Sequence, residues 1–169
     1  WDGRQVAATA AEPVGARDTA ADGHNGKLRA ALRRLVARVI AETGLTPEAL
    51  VCAGMITSNV GLLEVPHLPA PAGPADLARR VVRHDFPDIS PLPCYFIPGI
   101  KTVPTTLTAD TLAEADVLRG EEVESVGLRS LLHLSGPALL VHFGSHHKAI
   151  AVDGSGRILH SRTAITGEL

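Results

Sequence analysis

Asp116, Arg119, Gly120, Glu121 and Glu122 fall within seven consecutive positions, the run Asp-Val-Leu-Arg-Gly-Glu-Glu. A strand-end aspartate and a pair of glutamates beside an arginine make a base and metal-facing cluster. The plainer reading is that acidic residues in a first helical turn answer the helix dipole. Both readings stand at this point.

A second group lies at Phe143-Gly144-Ser145-His146-His147-Lys148. A glycine-relieved turn, a hydroxyl and a fixed cation at one strand end are what an anionic group such as a phosphate needs. The competing reading is a polar hairpin that happens to carry two histidines. A third group, Thr57-Ser58-Asn59, follows an apolar run. Small polar residues beyond the carboxyl end of a strand suit a hydroxylated ligand, and they are also ordinary turn formers. His142, His146, His147 and His160 raise a metal-dependent hydrolase, because alternate residues of a hairpin share a face. No His-Glu-x-x-His or Cys-x-x-Cys accompanies them, which weighs against that chemistry.

The elements that must position these residues follow from periodicity. Arg4 to Ala11 is expected to be a strand leaving the Asp2-Gly3 turn, and residues 12–26 a loop. Gly26 to Thr43 is the clearest helix. Leu28, Leu32, Leu35, Val36, Val39 and Ile40 recur on one side, arginines mostly cover the other, and Gly44 stops it. Leu50 to Ala53 is a short buried strand. The stretch from Leu63 to Pro74 holds Pro66, Pro69, Pro71 and Pro74 and is expected to be irregular. Asp76 to His84 is expected to be a short helix and Cys94 to Ile97 a strand. Residues 101–113 are expected to be irregular, with a helix beyond Glu121. Asp153-Gly154-Ser155-Gly156 between two apolar runs is a hairpin signal. Ser135-Gly136-Pro137 is the best boundary. The alternation makes this an α/β protein.

Composition narrows the partners. Of the 169 residues 45% are hydrophobic and 3% aromatic, and the formal net charge is −2. Such a chain has room for a sizeable aliphatic core and no basic field for nucleic acid. No apolar run approaches the ~20 residues of a membrane span, and no signal-peptide pattern is present. Cys52 and Cys94 sit in apolar runs as small hydrophobes, in keeping with a reducing compartment. The expected setting is cytoplasmic. Trp1 and Leu169 both read as interior points of a longer chain.

Three islands, AGMITSNVG (53–61), DVLRGEE (116–122) and FGSHHK (143–148) with RTAITGEL (162–169), occur in an order and spacing similar to those of the 2-dehydro-3-deoxygalactonate kinases. The resemblance reaches from about Ala7 to Leu169. It implies the actin-like, hexokinase-like phosphotransferase fold, with two RNase H-like lobes closing on ATP and a sugar acid. Residues 1–134 would be a first RNase H-like lobe, mixed sheet with flanking helices, lacking its first strands. Residues 135–169 would open the second lobe with a hairpin. The family's Asp-x-Gly-x-Thr hairpin would lie before Trp1.

The resemblance further implies transfer of the ATP γ-phosphate to the terminal hydroxyl of a keto-deoxy sugar acid, with Mg²⁺ bridging the nucleotide phosphates. Asp116 would be the base, with Glu121 in reserve. Gly144, Ser145, His146 and Lys148 would face phosphate, and Ser58, Asn59 and Arg119 the sugar. The chain departs from the family at Phe143 (usually Pro), Ser145 (Thr) and Ala149 (Trp), and at Asn59-Val60, where Arg-Gln is common. The partners expected are the sugar acid and ATP, with a homodimer as the assembly and neither nucleic acid nor membrane. The alternative is a sugar-binding lobe without nucleotide binding or activity.

Overall fold

The computed structural model describes residues 5–104, 106, 108–144 and 146–164. These form two compact units that interleave along the chain, residues 1–64 with 82–96 and residues 65–81 with 97–169. Ser135-Gly136-Pro137, the boundary expected from sequence, falls inside the second unit. Both units combine helices with small three-stranded sheets, a mixed α/β architecture.

In the first unit, α1 (Ala16–Asp22) precedes α2 (Gly26–Thr43). Helix α1 replaces part of the expected 12–26 loop. The Gly15 N–H donates to Asp18 Oδ2 at 2.8 Å, and Gly23 closes the helix with φ 72°, so capping outweighs the glycines at both ends. Helix α2 has the expected bounds. Leu28 and Ala31 are buried, and Gly44 ends it at φ 64° with its N–H on the Ile40 carbonyl. The arginines stay outside. Arg34 forks onto Glu12, Arg38 pairs with Glu42 at 2.7 Å, and Arg29 Nε donates to Asp88 Oδ2 at 2.8 Å while lying over the Phe86 ring. Solvated ion pairs of this kind contribute little individually.

The strand expected over Arg4–Ala11 is not formed among the described residues. Residues 6–12 carry no regular secondary structure and join no ladder, since a lone strand with no partner cannot satisfy its backbone.

The sheet of this unit has the order β1 (Leu50–Cys52), β4 (Cys94–Phe96), β3 (Val82–Arg83), with β1 parallel and β3 antiparallel to β4. Phe96, Cys94, Phe86 and Ile89 are buried on it. Strand β3 lies where the end of a helix was expected. Helix α3 covers only Pro74–Arg79, because Val82 and Arg83 instead complete the ladder to Phe96 and Tyr95. Tertiary pairing overrides local periodicity there.

The second unit holds two sheets. One has the order β2 (Leu68–Pro69), β5 (Ile100–Thr102), β6 (Asp116–Leu118), and the other is the meander β7 (Ala138–His142), β8 (His147–Val152), β9 (Ile158–Ala164). Strand β2 corrects the expectation of wholly irregular structure between Leu63 and Pro74. The Leu68 and Ala70 N–H groups donate to the Gly99 and Lys101 carbonyls, and Pro69 falls between them, where no donor is required. Strand β5 (Ile100–Thr102) likewise runs into the stretch 101–113 expected to be irregular.

Helix α4 (Glu121–Leu131) follows β6 directly. The β8–β9 turn is the expected one, with Asp153 Oδ1 accepting from the Ser155 and Arg157 N–H groups and Gly156 at φ 86°. Ala72, Leu77, Ile100, Leu118, Ile150, Val152 and Ile158 make the aliphatic core.

Candidate active site

The chemistry of the second unit starts at Asp116, the first residue of β6. Register sets what it meets. In the β8–β9 ladder Lys148 stands directly opposite Thr163, and Ile150 opposite Ser161. Because alternate strand residues share a face, Ser161 and Thr163 both point where Lys148 points. Asp116 enters this face with a side chain only 9% exposed.

Four donors converge on the carboxylate. Ser161 Oγ donates to Oδ2 at 2.6 Å, while Oδ1 accepts from Thr163 Oγ1 at 2.7 Å, from the Val117 N–H at 2.8 Å and from Lys148 Nζ at 3.5 Å. Burial by itself would raise the Asp116 pKa. The Ser161, Thr163 and Val117 hydrogen bonds and the Lys148 charge outweigh it and hold the group below its ordinary value. Asp116 is therefore a well-ionised anion.

Lys148 is buried as well. Its ammonium donates to the Val117 carbonyl at 2.7 Å and to Thr163 Oγ1 at 2.7 Å, and Asp116 is its third partner. An ammonium has three protons; a phosphate oxygen would have to displace one of these acceptors.

The glutamates sit differently. Arg119 N–H donates to Glu121 Oε2 and Gly120 N–H to Glu122 Oε2, each at 2.8 Å. Both acids thus close the first turn of α4, with Gly120 at φ 120° allowing the approach. Glu122 is wholly buried, and burial raises its pKa; the hydrogen bonds from its own N–H and from Gly120 only partly oppose this.

Glu121 also lines a cavity of about 410 Å³ with Ser125, Leu128, Leu140, His142 and Ile150. Asp116 is not part of that lining, so the two base candidates have separate surroundings. The Arg119 guanidinium reaches the Val65 carbonyl at 3.2 Å and His67 Nδ1 at 3.1 Å.

The β7–β8 turn carries the rest. Gly144 packs under the His142 ring, where a Cβ would lie 2.9 Å from Nε2. His142 Nδ1 pairs with Glu124 Oε2 at 2.8 Å, Phe143 meets His147 edge-on, and His146 is exposed. Ser145 lies outside the described residues, as does the Thr166-Gly167-Glu168 segment.

Among the described residues no group of three or more His, Cys, Asp or Glu side chains is placed to hold a metal ion. A divalent ion accompanying a nucleotide would take its ligands mainly from the phosphates.

Ser58 and Asn59 belong to the first unit. Ser58 Oγ donates to the Met55 carbonyl at 2.7 Å and Thr57 Oγ1 to the Gly54 carbonyl at 2.9 Å, closing a 3₁₀ turn over Gly54–Thr57. Asn59 is exposed.

Sequence reasoning gave Ser161 and Thr163 no role. The Asp153–Gly156 turn by itself would set Arg162 across from Lys148; the register shift at Ala151/Val152 moves the ladder by one and brings Thr163 there. What the sequence lacked was the position of β6.

The sequence profile of a family described as 2-keto-3-deoxy-galactonokinase matches residues 1–169. No curated protein matches the chain. Among solved structures, a Sinorhizobium meliloti protein described as "a putative 2-dehydro-3-deoxygalactonokinase" superposes with a TM-score of 0.61 at 24% identity, over 80% of this chain and 41% of its own. That likeness concerns the fold, and the chain spans less than half the length of that neighbour.

Proposed function

Because this chain belongs to the 2-keto-3-deoxy-galactonokinase family, we propose that it serves a sugar-acid kinase. In this reading the γ-phosphoryl group of ATP passes to the terminal hydroxyl of 2-dehydro-3-deoxygalactonate or a related keto-deoxy sugar acid. The observation that carries the proposal is the meeting of the two most specific motif islands. The Asp116–Glu122 run and the β8–β9 hairpin share one hydrogen-bonded cluster around Asp116. In the same reading residues 1–134 are most of an RNase H-like lobe and residues 135–169 open a second one.

Phosphoryl transfer needs positioning and charge stabilisation more than a strong base. An ionised Asp116 orients the attacking hydroxyl and accepts its proton as the new bond to the γ-phosphorus forms and the bond to the bridging oxygen breaks, releasing ADP. Glu121, beside its own cavity, is the alternative acceptor. Gly144, Ser145 and His146 supply the turn that meets phosphate oxygens, with Lys148 behind it. Ser58, Asn59 and Arg119 are assigned to the sugar. A divalent ion such as Mg²⁺ accompanying ATP would supply charge neutralisation for the transferring group.

The test is a phosphotransfer assay on the complete gene product with MgATP and 2-dehydro-3-deoxygalactonate, alongside calorimetry with each ligand. Turnover is expected. Asp116→Asn should reduce kcat by about 10²-fold or more while sugar binding remains measurable. Near-parent turnover in Asp116→Asn together with loss in Glu121→Gln moves the base to Glu121. Sugar binding with neither nucleotide binding nor turnover in the parent overturns the kinase reading.

A further inference from the structure

We propose that Lys148 and Thr163 are positioning residues that hold the Asp116 carboxylate in place, and that Lys148 is a strut between β8 and β6 rather than a phosphate contact. The role of Asp116 in transfer rests on the kinase reading above; the strut itself does not.

Geometry distinguishes a strut from a ligand-facing lysine. A lysine awaiting phosphate keeps its ammonium in water or in an open cradle. Lys148 is only 8% exposed, and the protein supplies its ammonium with two close acceptors, the Val117 carbonyl and Thr163 Oγ1, and the Asp116 carboxylate beside them at 3.5 Å. The Val117 carbonyl belongs to β6, so the ammonium ties the outer strand of one sheet to the middle strand of the other. A buried charge with its partners removed is costly, which favours keeping this set closed.

Thr163 is the coupling atom of the set. The direct Lys148–Asp116 approach is 3.5 Å, long for an N–H···O bond. The route through Thr163 is short at both steps, because its hydroxyl accepts from Lys148 Nζ at 2.7 Å and donates to Asp116 Oδ1 at 2.7 Å. A hydroxyl can do both at once. Ser161 fixes the other carboxylate oxygen, and its own N–H reaches Thr102 Oγ1 on β5 at 3.3 Å. Each oxygen of Asp116 is thus set by β9. Among the described residues Lys148 is the charged partner of the carboxylate. Arg162, between the two hydroxyl residues, turns to the Ala113 carbonyl.

The test follows the Asp116 carboxyl carbon by NMR in aspartate-labelled complete gene product across an acid titration. Parent, Lys148→Met, Thr163→Val and Thr163→Ser are compared, with inorganic tripolyphosphate binding and thermal unfolding measured on each. The Asp116 titration midpoint should move upward in pH in Lys148→Met and Thr163→Val and return toward the parent in Thr163→Ser. Tripolyphosphate affinity should stay within about threefold of the parent in any folded variant, since a lost phosphate contact would cost about tenfold or more.

If Lys148→Met fails to fold, Thr163→Val carries the titration. An unmoved midpoint in Thr163→Val overturns the proposal, as does a tenfold loss of tripolyphosphate binding in a stable Lys148→Met. A moved midpoint in a protein without kinase activity upholds the strut and removes the kinase reading alone.

Discussion

Glu122 turns its carboxylate back toward Gly120: Oε2 accepts the Gly120 N–H at 2.8 Å, while Oε1, fully buried, has no hydrogen-bond partner among the described residues. Burial raises the pKa above its ordinary 4.5. A raised folded value contributes stability that is fully present below about pH 4.5 and is lost as pH climbs through the folded pKa. Glu122→Gln should flatten that decline, making the variant relatively more stable at pH 8 than at pH 4.5 in paired urea titrations. A parallel pH dependence in parent and variant would refute the assignment. Glu122→Ala, which orphans the Gly120 N–H and opens a void, should lose about 1–3 kcal/mol at either pH.

Asp116 has the opposite sign. Its folded pKa lies below the ordinary 3.8, so its contribution is present above about pH 3.8 and is lost as pH falls through the lowered value. Asp116→Asn should reduce stability at neutral pH and remove part of the acid-side decline. Circular dichroism from pH 2 to 6 reads this. A variant that matches the parent throughout would show that the four donors contribute nothing net.

Gly99 and Gly127 should respond in opposite directions to alanine. A Cβ on Gly99 would lie 2.3 Å from the Leu118 carbonyl and 2.6 Å from the His67 ring, whereas one on Gly127 in α4 meets nothing within 4 Å. Gly99→Ala is expected to cost about 1–3 kcal/mol by overpacking against backbone. Gly127→Ala should add about 0.5–1 kcal/mol through helix propensity. Thermal melts of the two variants suffice.

The cysteines should be slow to react. Burial, with a smaller effect of neighbouring Cys94, pushes the Cys52 thiol up to about 11, and burial also raises Cys94. At pH 8 a chromogenic disulfide reagent should label the native protein about tenfold or more slowly than the unfolded chain, because only thiolate attacks. Prompt labelling of one equivalent in the native protein would contradict this.

Much of the frame was legible in local chemistry. Helix α2 appears with its expected bounds because a helical apolar stripe and a glycine stop act within one segment. Strands β1 and β4 were legible as short apolar runs, and the Asp153–Gly156 turn follows from its own residues. Strand β1 is only partly buried, with Val51 exposed, against the expectation of a buried strand. The misread segments depended on distant partners. Val82 and Arg83 are a strand only because Phe96 and Tyr95 lie alongside, and Leu68–Pro69 only because Ile100–Lys101 does. Arg4–Ala11 had the composition of a strand, and its described residues, 5–11, join no ladder.

For the site, the residue types marked out Asp116, Glu121 and Lys148, and the motif islands carried the resemblance that the family match supports. Charge type and spacing are properties of a sequence. Whether a charge faces solvent, ligand or another charge is not, because it depends on which strand of a second sheet comes within 3 Å. Tertiary structure alone set Lys148 and Thr163 against Asp116, gave Glu122 a buried carboxylate, and separated Glu121 into its own cavity.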